Sequence, residues 1–165
     1  MVLKLADWIL DVDISLTMEI SAEQARSHCE CGYCRNFYHD IDRACPELRT
    51  FMAQFGIDIT APDELCPFEP TIYEATYVVQ GSIVQKGSVP LYLNGIPVYL
   101  QNAEDADLET AHPMPYFTVT VGLIELQWVL DEPMQEVVSP ANDPEYLLRM
   151  QRKLLDRLSA DEVFS

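Results

Sequence analysis

A chain of 165 residues, 48% of them hydrophobic, has the material for one domain spanning residues 1–165. Its 27 acidic against 10 basic side chains give a formal net charge of −17. That balance argues against nucleic acid or an anionic membrane as partner and allows a basic partner protein; the plainer reading is that the acidity keeps the protein soluble. Asp7 and Asp11 interrupt the apolar N-terminus and no apolar run is long enough to cross a bilayer, so a cytoplasmic protein with reduced thiols is expected.

From Trp8 to Ile20 apolar and polar residues alternate, with only Ile9 out of step. Period two over this length predicts one long strand with a wet and a dry face, the pattern of an antiparallel sheet. Ser21, with Gln24 three residues on, reads as the N-cap of a short helix over residues 22–28. A second helix is expected from Tyr33 or Cys34 to Ala44. A third should start with Pro46 in its first turn, bury Leu48, Phe51, Met52 and Phe55, and close at Gly56.

Residues 60–70 hold three prolines and three acids and read as a loop. Tyr73, Ala75, Tyr77, Val79 and Ile83 then mark one face of a strand, with a bulge expected at Gly81. Asn94-Gly95 is a hairpin turn that sets Leu93 against Ile96, Leu91 against Val98 and Val89 against Leu100. Pro90 and Pro97 make that hairpin peripheral. The acidic stretch 101–112, with Glu104, Asp105, Asp107 and Glu109, lacks the Gly and the distant Glu of an EF-hand loop and reads as solvated. His112 reads as a surface residue.

A strand over 116–130 changes phase beside Gly122, which predicts a bulge there. The last helix starts at Asn142 or Asp143 and carries an apolar stripe of Leu147, Met150, Leu154 and Leu158. Between Thr50 and Leu148 there are fifteen acids and one base, whereas Arg149, Arg152, Lys153 and Arg157 cluster on this helix. The cluster therefore suits either the helix dipole or the acidic body of the same molecule.

Chemistry concentrates in His28-Cys29-Glu30-Cys31-Gly32-Tyr33-Cys34, which holds three of the five cysteines. Zinc is one candidate, held by Cys29, Cys31 and Cys34 with Cys45, Cys66, His28 or His39 completing a tetrahedron; Cys45 is the expected fourth ligand. The difficulty is Cys29, which points away from Cys31 in a strand and roughly 160° away in a helix. Redox chemistry is the second candidate, because Cys31-x-x-Cys34 opens a helix whose dipole favours a thiolate. Against it, a thioredoxin-like fold needs a strand running into the motif. The third reading is plain packing of reduced thiols.

Cys29-x-Cys31-x-x-Cys34-Arg35-Asn36, together with Pro46-Glu47-Leu48, Phe55-Gly56-Ile57-Asp58 and Trp128-Val129-Leu130-Asp131-Glu132-Pro133, resembles a family of small bacterial proteins of unknown function. The resemblance implies no activity. The sequence thus leads to an α+β domain: an antiparallel sheet of about four or five strands with helices packed against it. The function it suggests is an acidic protein-interaction or inhibitor-type domain with a structural zinc site. The alternative is a small thiol oxidoreductase using Cys31 and Cys34.

Overall fold

The structure, a computed structural model, describes residues 1–69, 71–108, 110, 112–134 and 144–162, with side chains for all of these except 27, 144, 146 and 157–162. The expected long N-terminal strand is instead three elements. Strand β1 (Val2–Leu5) turns at Ala6 (φ +51°) and pairs antiparallel with β2 (Trp8–Val12). Helix α1 (Ile14–Gln24) follows, because the Asp13 side chain accepts a hydrogen bond from the Leu16 N–H at 3.0 Å and caps it. Ser21 therefore lies inside a helix rather than at its start. Thr17 is the buried residue of α1, so period two beyond Val12 reported no wet and dry face.

A short 3₁₀ turn (Ala25–Ser27) leads to α2 (Gly32–Ala44) and α3 (Pro46–Ala53), both as expected. Gly56, at φ +83°, closes the third helix where its missing Cβ would meet the Ile14 carbonyl at 2.5 Å. The stretch expected as a loop after Thr60 contains β3 (Glu64–Glu69). Then come β4 (Ile72–Gln85), β5 (Leu91–Leu93), β6 (Ile96–Asn102), β7 (Tyr116–Glu125) and α4 (Pro144–Glu162).

The fold is α+β, with seven antiparallel strands in place of the four or five expected; β1 and β3 are the additions. The order is β1-β2-β4-β7-β6-β5, with β3 also paired to β4. Strand β4 is long enough to take β3 along residues 72–76 and β2 along 81–85. Between them, side chains stand in for a strand. Asp63 Oδ2 accepts from the Val78 N–H at 2.7 Å, and Thr17 Oγ1 accepts from the Gln80 N–H at 3.0 Å.

The hairpin has the expected register for Leu93 with Ile96 and Leu91 with Val98. Its third pair does not form, since the ladder stops at Leu91 and Val89 is exposed. Of the two hairpin strands only β5 is an edge; β6 pairs onward with β7. The bulge expected beside Gly122 is there: Tyr73 pairs with Ile124 but Ala75 with Val121, and Leu123 sits at φ +57°. Along β2 and β4 the register slips near Val84, away from Gly81.

The two faces of the sheet differ sharply. One carries Leu10, Val12, Tyr73, Tyr77, Phe117 and Val119, which with Phe37, Ile41, Leu48, Met52 and Phe55 from α2 and α3 form the buried core. The opposite parity of β4 and β7 supplies buried Glu74, Thr76, Thr118 and Thr120. Helix α4 stands over this polar face, where Lys153 and Asp156 share a cleft of about 40 Å³ with those residues. Lys153 Nζ lies 2.8 Å from Glu64 and 4.0 Å from Glu74, and Arg149 reaches Glu64 at 2.8 Å. Two of the four bases, Arg149 and Lys153, therefore face the acidic body, while Arg152 is exposed. The expected apolar stripe does not pack inward, since Leu147 and Leu154 are exposed. The expected caps Asn142 and Asp143, Glu109, and the side chains of Arg157 and Leu158 lie outside the described residues.

Candidate metal centre

Helix α2 begins at Gly32, and that start resolves the difficulty with Cys29. Cys31 is the residue before the helix (φ −64°, ψ 160°), so residues 28–31 follow neither strand nor helix geometry. Cys34 lies in the first turn of α2 and is buried, whereas Cys29 and Cys31 are exposed. The three Sγ atoms all lie within 4.8 Å of one another. Zinc–sulfur bonds of about 2.3 Å in a tetrahedron set sulfurs roughly 3.8 Å apart, so small rotations of these side chains reach that geometry. Packing accounts for buried Cys34 but not for the two exposed thiols.

No fourth His, Cys, Asp or Glu among the described residues joins this group. Cys45 does not, because it stands half-buried at the junction of α2 and α3, some 16 Å along the helix from Cys34. Cys66 lies in β3, where its thiol donates to Glu64 Oε1 at 3.3 Å. Burial pushes the Cys66 thiol up to about 12. His39 is exposed on α2. His28 is nearer. Its ring stacks on Tyr38 with centroids 4.1 Å apart, and Tyr38 donates to the Cys29 carbonyl at 3.0 Å. The buried Nδ1 of His28 has no hydrogen-bond partner.

Cys29 and Cys34 are shifted in opposite directions. The Cys31 backbone N–H, 3.5 Å from Cys29 Sγ, pulls the Cys29 thiol below its ordinary value. Burial pushes Cys34 well above its ordinary value, and the neighbouring thiols add to that. Burial first, then the three thiols, also raises Tyr38. Of these two, Cys29 is therefore the readier thiolate and Cys34 the more reluctant. A bound cation would supply what Cys34 lacks, since coordination deprotonates a thiol outright.

A second segment braces the site. Asn36, fully buried, donates to the Gln127 carbonyl at 2.9 Å and accepts from the Val129 N–H at 2.8 Å. Arg35 pairs with Glu132, holds the Glu30 carbonyl at 2.8 Å and so spans from this segment to the cysteine loop. Trp128 donates to the Glu132 carbonyl at 2.8 Å and meets Tyr33 edge-on. The Cys-Arg-Asn and Trp-Val-Leu-Asp-Glu-Pro stretches, far apart in the chain, thus meet at the start of α2.

The side chain of His112, expected at the surface, is instead largely covered. Its Nε2–H donates to Asp63 Oδ1 at 2.5 Å, and Gln80 Nε2 lies 3.4 Å from its Nδ1. Asp63 also accepts the Val78 N–H, so the imidazole braces the chain before β7 against the open edge of β4. Its sequence signal, a lone His between Ala111 and Pro113, gives no hint of an Asp so distant in the chain.

No family model matches the chain, and no curated protein or solved structure does so either.

Proposed function

We propose that the chain is an acidic protein-interaction domain in which Cys29, Cys31 and Cys34 hold a zinc ion in a structural role. The observation that carries the metal is the convergence of three sulfurs within 4.8 Å, two of them reachable from solvent. Zinc suits soft thiolate donors, and its position at the first turn of α2 tightens the junction between that helix and residues 127–132. A structural zinc needs a fourth donor, which would come from outside the three thiols. The formal charge of −17 supports a basic protein as the partner. Metal analysis of protein purified without chelator is the test. About one equivalent of zinc is expected, and less than about a tenth, the level of adventitious binding, ends the reading.

One observation favours the thiol oxidoreductase alternative. Cys31 is exposed at the N-terminus of α2 with Cys34 buried behind it, the order of attacking and resolving thiols. Two features weigh against it. A 3₁₀ turn and irregular chain, not a strand, lead into the motif, and the third sulfur of Cys29 has no role in a two-thiol exchange.

A further inference from the structure

Helix α4 is turned the wrong way round for a helix that merely covers a sheet. At about 100° per residue, Leu147, Leu148, Leu154 and Leu155 fall on an arc of about 120°, with exposed Gln151 at its centre. They are 44%, 61%, 54% and 62% exposed. The side toward the body carries half-buried Met150 and Lys153, and Lys153 and Arg149 are committed to Glu64. The helix thus directs Lys153 and Arg149 to the acidic polar face of the sheet and offers its leucines to solvent. Among the described residues these four leucines stay largely uncovered.

The charge around the arc selects the occupant. Glu145 and Asp156 lie along one flank of α4, and Asp105 and Asp107 sit on the loop that lines the cleft beside Asp156; all four are exposed. Arg152 is the single base on that flank that is exposed without a bond to Glu64. A second copy of the chain would bring two bodies of formal charge −17 together. A helix with an apolar stripe edged by Lys or Arg meets both the leucines and the acids. We infer that the outward leucine face of α4 is a docking surface for a cationic amphipathic helix of a partner protein. This rests on the interaction-domain reading above, and is independent of the metal.

The test uses the full chain and a fluorescent model peptide of Leu and Lys at helical spacing, followed by anisotropy at low and high salt. Saturable binding that weakens as salt rises is expected. A Leu148→Gln/Leu155→Gln double variant, whose circular dichroism should match the parent because both positions are exposed, should bind at least tenfold more weakly. A Val84→Gln/Tyr92→Gln variant, altering exposed residues elsewhere, should bind as the parent does. Equal binding by the Leu148/Leu155 variant overturns the inference while leaving the interaction reading intact. So does equal binding of a Leu/Glu peptide with the same apolar face. Sedimentation showing a parent dimer that those Gln substitutions dissociate overturns it in favour of a second copy. No binding of the Leu/Lys peptide to the parent overturns both the inference and the interaction reading.

Discussion

Asn36 and Val129 are joined by a 2.8 Å hydrogen bond from the Val129 N–H to the Asn36 side-chain oxygen, and the same amide donates to the Gln127 carbonyl at 2.9 Å. One fully buried amide therefore satisfies two backbone groups of an irregular segment and ties it to the helix that carries Cys34. Asn36→Leu keeps the branched shape, with a larger volume, and strands both backbone groups. The expected cost is on the order of 3 kcal/mol, because each buried unpaired group costs about 1–3 kcal/mol. Urea denaturation measures it, and a loss below about 0.5 kcal/mol, the scatter of ordinary surface changes, would show that the segment finds other partners.

The seat of α4 depends on Glu64. Burial alone would raise its carboxyl, but the Lys153 bond and the Arg149 charge outweigh that and hold it below its ordinary 4.5. A carboxyl lowered by folding contributes stability that is fully present above its unfolded value and is lost as pH falls through the folded one. Glu64→Gln should thus destabilise by about 1–2 kcal/mol near neutral pH. The gap between the two proteins should close as pH drops below 4.5. Paired denaturation curves along that range check it; a gap independent of pH would assign the loss to packing.

Two glycines at positive φ separate backbone strain from steric collision. Gly95 (φ +80°) has nothing within 4 Å of a would-be Cβ, whereas at Gly81 (φ +144°) that atom would sit 1.9 Å from the Asp11 carbonyl oxygen. Gly95→Ala should cost about 1 kcal/mol in the exposed hairpin. Gly81→Ala must push β2 off β4 and should cost several times as much, or prevent folding. Melting temperatures of the two variants rank them, and equal losses would contradict the close approach of these strands.

Local chemistry made α2, α3 and the β5–β6 turn legible: Pro46 in the first helical turn, the Leu48, Met52 and Phe55 spacing, and Asn94-Gly95, both at positive φ. The N-terminal error has a specific source. Residues 14–20 alternate in polarity, and Asp13 decides between strand and helix through one capping bond that composition does not reveal. Strand β3 was hidden because Pro67 and the acids around it read as loop, while its partner β4 was out of sight of a local pattern. The cysteine cluster was legible as a set of residues. Its geometry was not, because Cys29 and Cys31 converge only if the helix starts at Gly32. The bracing by Asn36, Arg35 and Glu132, like the Asp63–His112 pair, joins residues whose spacing carries no signal.

The two chemistries of the cluster part at Cys34. In the zinc reading, Cys34→Ser removes one of three protein ligands, so the protein should lose its metal and melt at a lower temperature, since binding energy is folding energy. Cys45→Ser should keep its metal, because Cys45 stands at the far end of α2. In the redox reading, Cys34→Ser removes the resolving thiol, so the fold should persist and Cys31 should accumulate as a mixed disulfide with an added small-molecule disulfide. Metal content, melting temperature and intact mass, measured on the same three proteins, distinguish these outcomes. The expected result is zinc near one equivalent in the parent and in Cys45→Ser, and below about a tenth in Cys34→Ser. A parent free of metal, with a stable Cys31 adduct in Cys34→Ser, would replace the metal centre with a thiol-exchange site.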